Sequence, residues 1–102
     1  MPSFRAVLQI TGLRAGNPPE AVMDTAVLTM GSVHLVEASS LDVVRGVPTI
    51  TVRFLVEATS EREEDNEALT ASAMLRQGVE QVATTGRLST LRRRAGKWIY
   101  LG

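Results

Sequence analysis

At 102 residues, 44% hydrophobic and 22% charged, the chain has room for one domain and one core and is too apolar to be generally disordered. Eleven basic and eleven acidic groups cancel, so no overall field draws the chain to nucleic acid or an anionic membrane, although a local patch could still do so. No cysteine is present, which excludes disulfides, thiolate zinc sites, iron–sulfur clusters and a cysteine nucleophile; with no apolar run long enough to span a bilayer, the expectation is a soluble cytoplasmic protein.

The first predicted element is a strand over Phe4 to Leu13. There Phe4, Ala6, Leu8 and Ile10 alternate with Arg5, Val7, Gln9 and Thr11, the period of a strand with one buried face. Asn17, Pro18, Pro19 and Glu20 then read as a helix start with Asn17 as N-cap. The helix is predicted over Pro18 to Met30, with Met23, Ala26, Val27 and Met30 on its inner stripe and a left-handed Gly31 closing it. Two extended segments follow, Ser32 to Arg45 and Val47 to Thr59, joined as a hairpin by a turn at Gly46, with a bulge near Ala38-Ser39-Ser40.

Ser60 and Glu63 have the spacing of a capping box, opening a second helix predicted to reach Thr85 and to end at Gly86. Its inner stripe is Ala68, Ala71, Met74, Leu75, Gly78, Val79 and Val82. Two short strands finish the chain, Leu88 to Arg93 and Trp98 to Leu101, about a turn containing Gly96. The element order is βαββαβ plus a terminal strand. That order predicts an α+β fold, a ferredoxin-like plait with an additional C-terminal strand and both helices on one face of an antiparallel sheet.

No residue pattern names a chemistry. The Gly12 to Glu20 loop leads from a strand into a helix, where anions can bind, and Arg14 and Asn17 are its ligand candidates. It lacks a phosphate-loop spacing, and two prolines remove amide donors, so a structural loop is the simpler account. His34, the only histidine, cannot build a multi-histidine metal site, and Glu37 points to the other face of its strand; a sheet-face histidine is the simpler account. Glu61, Glu63, Glu64, Asp65 and Glu67 lack the spacing of a calcium loop and suit a helix N-terminus already. No metal, cofactor or catalytic residue is expected.

The tail concentrates charge: Arg87, Arg92, Arg93, Arg94 and Lys97 fall within eleven positions, beside Trp98 and Tyr100. Basic groups beside exposed aromatics are the chemistry of single-stranded nucleic acid binding, which is therefore the alternative partner. An Arg-rich edge hairpin equally serves to block unwanted pairing. An enzyme using Arg14, His34 and Arg53 is a third possibility, tested by whether those groups share a pocket. The leading expectation comes from the sheet face opposite the helices. It carries Arg5, Val7, Gln9 and Thr11 from the first strand and Thr49, Thr51, Arg53, Leu55 and Glu57 from the third, too apolar for comfortable exposure and too polar for a dry core; the expected interface is Val7, Gln9, Thr51 and Leu55 with Trp98 and Tyr100 from the tail. It predicts a non-enzymatic module that dimerises through this face, with a small-molecule ligand site drawn from Arg14, Asn17, His34 and Arg53.

Overall fold

A computed structural model describes residues 1–102. In β1 (Ser3–Leu13), Phe4, Ala6, Leu8 and Ile10 are buried, as their alternation requires. Helix α1 (Glu20–Gly31) buries Val22, Ala26 and Met30, a stripe with a four-residue step. Met23 is only partly buried beside it. Asn17 is not the cap. Pro19 occupies that position in helical conformation, and the Pro18 and Pro19 carbonyls accept the amides of Ala21 and Val22. The Asn17 side chain instead donates to the carbonyls of Arg14 and Ala15, closing the loop on itself. Gly31 is the last helical residue and does not take a positive φ; Ser32 ends the helix, its hydroxyl donating to the Thr29 carbonyl at 2.7 Å.

Strands β2 (Leu35–Val44) and β3 (Val47–Leu55) form the hairpin. Arg45 and Gly46 both have positive φ, 52° and 81°, the backbone of a tight hairpin turn whose twist matches its strands. The register slips between Val36 and Ala38, so Glu37 is the bulged residue, slightly earlier than the sequence suggests. β2 is an edge strand whose residues are exposed along nearly its whole length.

Helix α2 (Glu61–Val79) starts as predicted, with the Ser60 hydroxyl accepting the Glu63 amide. The reaching-back partner is Glu64, not Glu63: its carboxylate accepts the Thr59 amide at 2.9 Å. The helix stops at Val79, six residues short of the predicted end, and β4 begins at Ala83 and runs to Arg94. Val82 stays partly buried against the core beyond the helix, so the apolar period outlasts the helical backbone. Gly86 does not end a helix. It sits within β4 beside Gln9, where a Cβ would lie 2.8 Å from the Gln9 amide oxygen. Ala95 and Gly96 repeat the positive-φ turn, and β5 (Lys97–Tyr100) completes the chain's pairing.

The architecture is α+β: two helices and a five-stranded antiparallel sheet in the order β2-β3-β1-β4-β5. Leu8 faces Ile50, Ala6 faces Val52 and Phe4 faces Phe54, so these side chains share one face. All of them join Val22, Ala26 and Met30 of α1 and Ala68, Ala71, Leu75 and Val79 of α2 in a single core. Both helices therefore cover the same side of the sheet. At their contact Gly78 of α2 meets Thr29 of α1, whose hydroxyl would lie only 2.4 Å from an added Cβ. No helix is long and apolar enough to cross a membrane.

Candidate functional site

The uncovered face follows from the same registers. Arg5 stands opposite Arg53 on one side and Leu91 on the other; Val7 stands between Thr51 and Ser89; Gln9 faces Thr49. Leu55 faces Ser3, Leu91 faces Tyr100, and Arg93 faces Trp98. All six residues singled out for this surface, Val7, Gln9, Thr51, Leu55, Trp98 and Tyr100, thus lie on one sheet face. Tyr100 is 65% exposed, whereas Trp98 and Val7 are half-buried by their neighbours.

Trp98 is the centre of this face. The guanidinium carbon of Arg5 lies 4.1 Å from the centre of its ring system, and those of Arg53 and Arg93 lie 5.3 Å away. Arg5 is two strands from Trp98, so its side chain reaches across β4 to stack there. Each such contact contributes about 0.5–1 kcal/mol at an exposed site, enough to orient a side chain but not to neutralise it. Arg53 has an acidic partner: its Nε donates to Glu37 at 3.1 Å and to the Ser3 hydroxyl at 2.9 Å, while that hydroxyl donates to Glu37 at 2.8 Å. Arg5 and Arg93 have no ion-pair partner. Alternation from Leu35, which faces Leu55, puts Glu37 on this face, and the bulge leaves Glu37 and Ala38 both beside Arg53.

The other ligand candidates are elsewhere. His34 lies on the helix side, its ring 5.7 Å from that of Phe54 and its Nε2 3.5 Å from Glu67, at the floor of a 640 Å³ cavity lined also by Glu57, Thr59 and Glu63. Arg53, next in the chain to Phe54, points to the opposite side of the sheet. Arg14 and Asn17 sit past the far end of β1, roughly 30 Å along the strand from the Arg5–Arg53 pair. Arg14 there donates to the Glu80 carbonyl and lines a 450 Å³ cleft with Arg76, Glu80 and Thr84. No one pocket unites Arg14, His34 and Arg53. A third cavity, 290 Å³, is apolar and lies between α1 and the hairpin, lined by Ile10, Val22, Leu41 and Ile50.

The basic tail is divided between two faces. Arg92 turns to the helix side, over the Phe4 ring, where it holds Glu64 and Asp65 at 2.8 Å each. Arg94 pairs with Glu61. Those acids are the run at the start of α2, so part of the tail's charge is neutralised by that helix. Arg93 alone of the triplet joins Trp98; Arg87 and Lys97 are exposed. The hydrogen bond from Arg92, and then that from the Thr59 amide, hold the Glu64 carboxyl below its ordinary value, against the opposing effect of burial. Burial works against the charge of Arg92, but its bonds to Asp65 and Glu64 outweigh that and raise its pKa.

Sequence reasoning placed Arg5 and Arg53 on the open face but missed their convergence with Arg93 on Trp98, and it missed Leu91 and Glu37 on that face and Glu67 as the acid beside His34. Alternation does place Arg5 on the right face, but only the β4–β5 register brings Trp98 within its reach. The chain matches no protein-family model, no curated protein and no solved structure.

Proposed function

We propose that the chain is a non-enzymatic association module that pairs with a second copy through its open sheet face. The observation that carries this reading is the one-sided sheet. Both helices sheathe one face, and the other displays Val7, Leu55, Leu91, Trp98 and Tyr100 to solvent. Four strands of about ten residues and a fifth, short one, about 4.8 Å apart, span at most roughly 20 by 30 Å. That is at the lower end of the roughly 600–1,000 Å² each partner contributes to a standard interface. Without β5, which lies outside β4, the remaining four strands run β4-β1-β3-β2. This order supports a ferredoxin-like plait with one extra edge strand, an arrangement that leaves one sheet face free. The lack of cysteine fits a cytoplasmic setting.

The nucleic-acid reading is less well supported, because Arg92 and Arg94 are already engaged by Glu61, Glu64 and Asp65. Analytical ultracentrifugation at tens of micromolar tests the proposal. A dimer is expected, with Val7→Glu or Leu55→Arg shifting mass toward monomer while the domain stays folded by circular dichroism. A strict monomer at that concentration overturns it.

A further inference from the structure

Self-association through this face raises a charge problem. Each copy brings three guanidinium groups to Trp98, and only Arg53 has a carboxylate beside it. Closing two such faces together would move four unpaired arginines, Arg5 and Arg93 from each copy, toward a poorly solvated interface. Desolvated charges without counter-charges oppose association strongly. Arg5 also stands directly opposite Arg53, a like-charge pair that is already unfavourable in the single chain.

We infer that the open face holds an oxyanion, a carboxylate or phosphate group, between Arg5 and Arg93 beside Trp98, and that its binding is linked to self-association. This rests on the association reading above. Two guanidinium groups stacked by one indole are pre-oriented forks, and planar forks recognise carboxylate and phosphate bidentately. Stacking also lowers the ordering cost, because the arginines are held before the anion arrives. Elsewhere on this face the free acidic group is Asp42, opposite Thr49 near the hairpin turn. It lies four positions along β3 from Arg53, roughly 13 Å, and so cannot neutralise the cluster within its own chain.

Trp98 is the only tryptophan, so its emission reports the site directly. The full chain is titrated with inorganic phosphate and, separately, with succinate, against sodium chloride of matched ionic strength, reading Trp98 fluorescence and sedimentation together. At anion concentrations about ten times the dimer site's dissociation constant, each of the two sites is expected to lower the dimer dissociation constant by up to roughly tenfold, about 100-fold together where the monomer does not bind, with a saturable change in emission. A response to phosphate alone assigns a phosphate ligand, and a response to both assigns the shared oxyanion chemistry. The double variant Arg5→Gln/Arg93→Gln is expected to lose the anion effect yet to dimerise in chloride at least as tightly as the parent, the reverse of simple interface damage. Arg5→Lys/Arg93→Lys, which keeps charge but loses the fork, is expected to retain a weaker response.

A dimer indifferent to both anions overturns the inference and leaves the association reading standing. So does a dimer lost on Asp42→Asn, which would mean that Asp42 of the second copy supplies the missing charge. A monomer whose Trp98 emission still saturates with anion overturns the association reading and the linkage but retains the site. Saturable binding of a thymidine oligonucleotide that ignores both small anions overturns the inference in favour of the nucleic-acid reading.

Discussion

Gly78→Ala tests how α1 and α2 are held together. In an unconstrained helix this change stabilises by up to ~1 kcal/mol, since alanine has the higher propensity and the unfolded chain loses freedom. Here an added Cβ would meet Thr29 Oγ1 at 2.4 Å, Cγ2 at 3.0 Å and Cβ at 3.1 Å. Of the other two Thr29 rotamers one brings the methyl group to the closest position and the other its hydrogen, but the Cβ contact remains whichever rotamer is chosen. The helices must therefore separate by a few tenths of an ångström, an overpacking cost of about 1–3 kcal/mol. The net expectation is destabilisation by about 1 kcal/mol, or a fall of roughly 4–8 °C in Tm for a domain of this size. In a Thr29→Ala background the two closest atoms are gone and only the 3.1 Å Cβ contact remains, so the cost of Gly78→Ala should shrink toward zero, a coupling of about 1 kcal/mol. Thermal and urea unfolding followed by circular dichroism would measure all four corners of the cycle. Stabilisation of the parent by Gly78→Ala, with no coupling to Thr29, would refute the close helix contact.

Glu64→Gln should remove part of the acid sensitivity of folding. Because the folded-state carboxyl titrates below its ordinary value of 4.5, its contribution is full above that pH and lost as pH falls through the lower folded value; urea midpoints measured across pH 6 to 3 (roughly the window linkage implies) should fall less steeply in the variant. Ser72→Ala should stabilise by about 1 kcal/mol, since the hydroxyl is wholly buried without a hydrogen-bond partner and alanine is the better helix former; a loss of stability on thermal melting would point to a partner for that hydroxyl. Leu8→Ala, at a fully buried position, should cost about 3 kcal/mol by urea titration, and a cost below ~1 kcal/mol would mean the site collapses readily. Gly46→Ala, at φ 81°, should cost about 1 kcal/mol without changing oligomer mass.

Local signals carried much of the fold. β1 and β3 were legible because alternation over nine or more residues meets a one-sided burial that enforces it. The hairpin turn was legible through Gly46, and the start of α2 through Ser60. The end of α2 was not. Val79 and Val82 keep helical spacing across the change to extended chain, and what ends the helix is the pairing of Ala83 and Thr84 with Leu13 and Gly12, seventy positions away. Asn17 failed as a cap because two prolines already preset the first turn and left its amide free to close the loop. The membership of the open face was readable from parity alone. Its centre was not, because a convergence of Arg5, Arg53 and Arg93 on Trp98 depends on three separate strand registers and on side chains long enough to cross a neighbouring strand.

The two rims of the sheet differ in kind. β5 offers four residues and begins with Lys97, whereas β2 offers ten, and beyond its Glu37 bulge the stretch bearing Leu41, Val43 and Val44 lies bare. Lateral growth by strand addition is thus open on one flank and curtailed on the other. Any strand added along β2 would use up the receptive flank and leave only the four-residue rim of β5 for a further one, so lateral growth would stop after a single addition.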